Sequence, residues 1–289
     1  MKIYYDIIGA EFSAPIFVDL HTSMDIIILL EVSMISLGID IGSTTSKAVL
    51  MDENNNIIGK NLVVAGIGTD GPAMVIDELF KECGITEQNI TRTTATGYGR
   101  LRYEKADDQV SELTCHGLGT HFLLPTVRTV IDIGGQDVKV LSLDDNGHIL
   151  NFIMNDKCAA GTGRFLDVMA GILQMKVDEL GPHALKAEKP ASISSTCTVF
   201  AESEVISQLA NGVDRDEVIA GICESVANKT AALAKRISIK PDIAISGGVA
   251  KNTGVIHFLE RNLGTEILHS EDAQYAGAIG AAIYGVKCL

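Results

Sequence analysis

The chain has 289 residues, 46% hydrophobic and 21% charged, with 28 glycines, no tryptophan and a formal net charge of −14. The length suits two globular domains. A chain this acidic lacks the basic footprint for nucleic-acid phosphates and is repelled by anionic membrane surfaces.

The six cysteines are dispersed, with no Cys-x-x-Cys pair. That spacing excludes a disulfide scaffold and points to a reducing, cytoplasmic compartment. Residues 1–33 have no basic leader, and Asp6, Glu11, Asp19 and Asp25 interrupt their apolar runs. The longest run, Ile26–Leu30, is too short to cross a bilayer. Leu29–Ser33 could be a translated ribosome-binding site, so Met34 is the expected natural start and residues 1–33 are expected to lie outside the fold.

Regular patterning begins after Met34. Ile35, Leu37, Ile39 and Ile41 alternate with small or polar residues, the period of a strand. A glycine loop, Asp40-Ile-Gly42-Ser43-Thr44-Thr45-Ser46-Lys47, leads into a second strand at Ala48–Met51 and a turn at Asp52–Asn56. Gly71–Cys83 predicts a helix, and Thr94–Arg100 a glycine-rich loop that is either a tight turn or a docking loop.

The first layout then returns at Thr129–Leu150. A shift of 92 positions (132 minus 40) lays Asp132 on Asp40, Gly134 on Gly42, Lys139 on Lys47 and Asp144 on Asp52 without a gap. The match runs through strand, turn, strand and turn, so it reads as a duplicated α/β unit, with domains at 34–128 and 129–289 and the last helix a candidate to return to the first. Helices are predicted at about 162–180, 199–211 and 215–237, then a strand Asp242–Ser246 closed by Gly247-Gly248, and a small-residue helix over Ala273–Tyr284.

Two such loops facing each other can grip a polyphosphate. Gly42, Gly134 and Gly135 let backbone amides approach phosphate oxygens, and Ser43, Thr44, Thr45 and Ser46 add hydroxyls. Lys47 could supply a positive charge, and Asp40 and Asp132 could hold a hydrated Mg²⁺. Gln136 and Asp137 could orient an attacking water beside Asp132. Gly247, Gly248 and Gln274 are candidate contacts for the nucleoside. Taken singly, each residue reads as turn chemistry. As aligned loops they read as an ATP site.

These loops resemble the superfamily of acetate and sugar kinases, Hsp70 chaperones and actin. The resemblance implies a duplicated, ribonuclease-H-like α/β fold with ATP in the cleft between its halves.

Two cysteines set the chain apart. Cys158 precedes Gly161-Thr-Gly-Arg and an apolar helix face, and Cys197 sits in Ser194-Ser-Thr-Cys-Thr ahead of another helix, with Ser195, Thr196 and Thr198 as cap candidates. Both are expected at helix starts, where the dipole favours thiolate ligands. Two thiolates cannot complete a four-thiolate iron–sulfur site, whereas a two-fold homodimer would supply four. Cys115-His116 is incomplete as a metal pair and is expected to pack or to line an interface.

With these motifs included, Met34–Lys287 resembles the activator ATPases of 2-hydroxyacyl-CoA dehydratases, above all the 2-hydroxyglutaryl-CoA type, and their kin in benzoyl-CoA reductases. The resemblance implies one [4Fe-4S] cluster held by Cys158 and Cys197 of both subunits. It also implies a ferredoxin or flavodoxin donor, and ATP hydrolysis that drives one electron to the dehydratase. Two alternatives remain open at this level: a small-molecule kinase of the same fold, and a non-catalytic ATP-binding module.

Overall fold

The computed structural model describes residues 34–194 and 197–289. The expectations for residues 1–33 and the cap candidates Ser195 and Thr196 lie outside the described residues.

The chain builds two five-stranded sheets of matching topology. In the first, β1 (Ile35–Ile41), β2 (Ser46–Asp52), β3 (Ile57–Val63), β4 (Ile90–Thr96) and β5 (Asp108–Gln109) lie in the order β3-β2-β1-β4-β5. In the second, β6 (Thr129–Ile133), β7 (Val138–Leu143), β8 (Ile149–Asn155), β9 (Ile243–Ser246) and β10 (Ile267–Leu268) lie in the order β10-β9-β6-β7-β8. Each sheet is an antiparallel meander extended on its other side by parallel strands. β1 and β4 place Asp40 beside Thr96, and β6 and β9 place Asp132 beside Ser246. The duplication seen in the hairpins therefore extends to β4 and β9, whose sequences do not advertise it.

The helices are α1 (Gly71–Cys83), α2 (Glu112–Leu123), α3 (Gly163–Ile172), α4 (Leu180–Ala184), α5 (Thr198–Ala210), α6 (Arg215–Ala234), α7 (Thr253–Leu263) and α8 (Ala276–Lys287). The apolar positions of β1 join a core with Val75, Ile76 and Leu79 of α1. Its alternate positions, Ser36, Gly38 and Asp40, are buried as well, although alternation usually marks a half-exposed strand. The reason is α8, which lies across that face. A Cβ at Gly38 would strike the backbone of Ala278 and Ala282, and Ser36 Oγ donates to the Ala282 carbonyl at 2.9 Å. Small residues in β1 therefore admit a helix at close range.

The larger core packs α3, α5, α6 and α7 against β6, β7 and β9, with Phe165, Met169, Val205, Ile219 and Leu259 deeply buried. Each such side chain contributes roughly 1.5–3 kcal/mol by leaving water.

The two sheets exchange helices. α2 follows the first sheet but packs on the outer face of the second, through Leu113, Val130, Leu141, Leu143 and Ala244. α8 follows the second sheet but covers Val49 and Met51 of the first with Ala278, Ile279, Ala282 and Ile283. The two helices also meet each other: a Cβ at Gly119 would overlap the Ala276 carbonyl, and one at Gly280 the Cys115 carbonyl. Cys115 is thus a packing residue of this helix pair.

Two helix expectations need correction. The predicted 162–180 helix ends early, at Ile172, because Gln174 takes a left-handed φ of 50° immediately after Leu173 caps α3, and a 3-10 turn at Val177–Glu179 leads into α4. The apolar rhythm continues past this break, which is why the sequence reads as one helix. The last helix starts at Ala276, since Ala273–Tyr275 forms a separate 3-10 turn.

Candidate functional site

The two hairpin turns close in the same way, Gly42 N–H donating to the Thr45 carbonyl at 3.0 Å and Gly134 N–H to that of Asp137 at 2.9 Å. Their tips touch. A Cβ on Gly135 would come within 2.6 Å of Thr44 Oγ1 and 3.3 Å of Ser43 Oγ. The strand-end loops behind them are also a pair. Gly97, at φ 83°, packs against Ile41 and Asp40, and Gly247, at φ 84°, packs against Ile133 and Asp132. Only a residue free of Cβ strain fits there. Thr94–Thr96 close β4 and the chain turns tightly from Gly97, with Gly99 N–H bonded to the Ile41 carbonyl at 2.9 Å.

Between the hairpins lies a cleft of about 330 Å³, within the range for small-molecule sites. Asp40, Gly42, Ser43, Thr44, Thr45 and Lys47 line it from one side. Asp132, Gly134, Gly135 and Asp137 line it from the other, with Gly247, Gly248 and Gln274 toward one end. Two expected residues are elsewhere. Ser46 is buried, and its hydroxyl donates to the Ala65 carbonyl at 2.7 Å. Gln136 is exposed at the turn and does not line the cleft.

The cleft also gathers residues that sequence reasoning missed. Lys139, the counterpart of Lys47, is buried among three carboxylates: Asp137 at 2.5 Å, Asp132 at 3.2 Å and Glu112 at 3.9 Å. Lys47 meets one, Asp40 at 3.1 Å. Glu112 and His116, one turn apart on α2, enter from the exchanged helix, and His116 Nδ1 lies 3.2 Å from Asp132 Oδ1. The stretch Ser111-Glu112-Leu113-Thr114-Cys115-His116 carries them, but nothing local shows that it crosses to the second hairpin.

Charge coupling sets the ionisation of this group. Burial opposes the charge on Asp132, but His116 and Lys139 outweigh it and hold the carboxyl well below the usual range. Burial would lower His116 and Lys139, and Asp132 foremost reverses both shifts upward. Glu112 goes the other way: burial raises its pKa, with Lys139 only partly offsetting it.

The cleft is tied directly to the Cys158 loop. Gly163 N–H donates to the Gly134 carbonyl at 2.9 Å and Arg164 N–H to that of Gly135 at 2.8 Å, while Thr162 Oγ1 donates to Gly135 at 3.1 Å. Cys197 is the N-cap residue of α5, with extended backbone, and Thr198 is the first helical residue. Cys158 departs from expectation. It lies five residues before α3 (163 minus 158), because Gly161 turns the chain at φ 91° and Thr162 caps the helix. Cys158 is therefore not at the N-cap of α3. Lys229 Nζ lies 3.4 Å from its sulfur.

Cys158 and Cys197 are both half-buried, and α5 exposes Val199 and Phe200 in its first turn after Cys197. Among the described residues of one chain, no group of three or more His, Cys, Asp or Glu gathers to hold a metal. Cys115 and Cys223 differ, since burial pushes both thiols up to about 12. With iron-free folded protein at pH 8, iodoacetamide is expected to label Cys158 and Cys197 while sparing Cys115 and Cys223. Peptide mass spectrometry checks this, and labelling of Cys115 as fast as exposed Cys288 would contradict it.

Residues 37–285 match the BadF/BadG/BcrA/BcrD ATPase family. The chain belongs to that family. This ATPase is 54% identical over 256 residues to the (R)-2-hydroxyglutaryl-CoA dehydratase activating ATPase of Acidaminococcus fermentans, covering 88% of its own length and 98% of the relative's. It superposes on the activator of the 2-hydroxyisocaproyl-CoA dehydratase from Clostridium difficile with bound ADPNP at a TM-score of 0.86 and 48% identity, covering 88% of this chain and 95% of that one. A glucokinase from Streptomyces griseus superposes at a TM-score of 0.53 with 13% identity, covering 88% of this chain and 99% of that one, which shows the shared sugar-kinase-like fold alone. Among the described residues no helix of the ATPase is long and apolar enough to cross a membrane.

Proposed function

We propose that the chain hydrolyses ATP to pass one low-potential electron to a 2-hydroxyacyl-CoA dehydratase, working as a homodimer bridged by one [4Fe-4S] cluster. Cys158 and Cys197 of each subunit would hold the cluster, which supplies one-electron chemistry when bound. A ferredoxin or flavodoxin would deliver the electron. Mg²⁺ would sit by Asp40 and Asp132, and the phosphates against the hairpin turns.

One observation carries this reading: the backbone bonds from Gly134 and Gly135 to the segment that follows Cys158. A change at the phosphate turn reaches the thiol loop through two amides and one hydroxyl, with no flexible linker between. The relatives with high identity carry activator names rather than kinase names. Those names cover several acyl groups, and the acyl pocket belongs to the partner.

Of the groups expected to handle water, Asp132 and Asp137 are held by Lys139. Glu112 is the less engaged carboxylate and is raised in pKa, which suits a proton acceptor.

The test is oxygen-free purification. Brown protein with about four iron atoms per dimer is expected. Cys158→Ser is expected to lose iron and electron transfer while keeping nucleotide binding. Colourless, iron-free wild-type protein, or electron transfer that survives Cys158→Ser, overturns the proposal.

A further inference from the structure

We propose that Lys229 is a positioning residue for the cluster, its ammonium group held against the Cys158 sulfur so as to stabilise the reduced state. This rests on the assignment of Cys158 as a cluster ligand.

The contact is built into the fold. Lys229 lies on α6, which packs against both α3 and α5, the helices that follow the two thiols. Its Nζ donates to Cys158 Sγ at 3.4 Å. The loop is shaped around the lysine stem. Gly161 has φ 91°, and a Cβ there would lie 3.1–3.3 Å from the Cβ, Cγ and Cδ of Lys229. Glycine therefore serves two ends at Gly161: it permits the turn and it clears the path of the side chain. Asn155 Nδ2 steadies the same loop through the Cys158 carbonyl at 3.2 Å. Lys229 is half-buried, so its charge is screened less than that of a surface lysine. Arg236, two turns further along the α6 direction, lines the same cavity of about 360 Å³ as Cys158 and Lys229.

A four-thiolate cluster gains one negative charge on reduction. A cation at the ligand sulfur stabilises the product of that step more than the reactant, and hydrogen bonds to sulfur act in the same direction. Lys229 thus raises the potential. In a chain of net charge −14 the surrounding field works against reduction, and a local cation offsets it.

The experiment uses full-length, oxygen-free dimer without nucleotide, as wild type, Lys229→Met and Lys229→Arg. Iron content and a redox titration followed by electron paramagnetic resonance are the readouts, with ATP hydrolysis as the check on folding. Lys229→Met is expected to shift the one-electron equilibrium about tenfold against reduction, about 59 mV, or to lose iron that Lys229→Arg retains. Lys229→Arg is expected to stay within about threefold of wild type, and ATPase within twofold in both variants. A wild-type potential in fully loaded Lys229→Met overturns the inference, as does equal iron loss in both variants with ATPase intact. Absence of iron from the wild type would instead overturn the cluster assignment itself.

Discussion

Glu112→Gln is expected to leave the fold and nucleotide affinity intact and to lower ATP hydrolysis by about two to four orders of magnitude. The acids on the two hairpins are committed. Asp40 is paired with Lys47, Asp137 with Lys139, and Asp132 with Lys139, His116 and Ser246, the last at 2.9 Å. Glu112 lies 3.9 Å from Lys139, at the edge of ion-pair reach, and burial raises its pKa. A carboxylate that is weakly held and hard to keep charged is a good acceptor for the proton of an attacking water. The amide preserves shape and removes that capacity. Steady-state phosphate release and nucleotide titration separate the two effects. A turnover number within threefold of wild type sinks the assignment, and a loss confined to affinity would recast Glu112 as a binding residue.

Lys139→Met carries the largest expected cost in stability. It leaves Asp132, Asp137 and Glu112 facing one another in a buried site, and breaking a buried pair costs about 3–5 kcal/mol. For a domain of this size Tm would fall by roughly 10 °C. The pH dependence follows from the signs. Lys139 has a raised folded pKa, so its contribution is full below the unfolded value near 10.4 and is lost only as pH climbs through the folded one. Asp132 has a depressed folded pKa, so its contribution is present above about 3.9 and is lost as pH falls through the lower folded value. The gap between wild type and variant is therefore flat around neutrality and narrows toward acid, where the variant's stranded carboxylates take up protons. Urea midpoints from pH 4 to pH 8 measure it. Lys47→Met, which strands only Asp40 beside the open cleft, is the control: it should lose less stability and more nucleotide affinity. Equal losses in the two variants would refute the distinction.

The aligned hairpins were legible because their information is local. Strand alternation, a glycine turn and a lysine seven residues on define each copy by itself. The same locality is why Lys47 and Lys139 read as equals. Their difference lies in Asp137, which stands where the first hairpin has Thr45, and in Glu112, which arrives on α2 from the other half of the chain. The pairing of Gly97 with Gly247 was hidden for a related reason, since it depends on β4 and β9 lying parallel to β1 and β6. Cys158 shows the opposite error. Apolar periodicity placed the helix start at about residue 162, where α3 does begin, but Cys158 lies five residues before α3, and a charge that faces the thiol comes from α6.

The exchange of α2 and α8 has a consequence for how the chain is made. Val49 and Met51 leave the ribosome early, but the helix that covers them ends at Lys287. The first sheet must wait, one apolar face uncovered, until α8 has been translated. The second sheet is better served, because α2 emerges just before β6. Synthesis therefore proceeds from a half-finished first lobe to a second that can close on arrival, and the final helix completes the older structure.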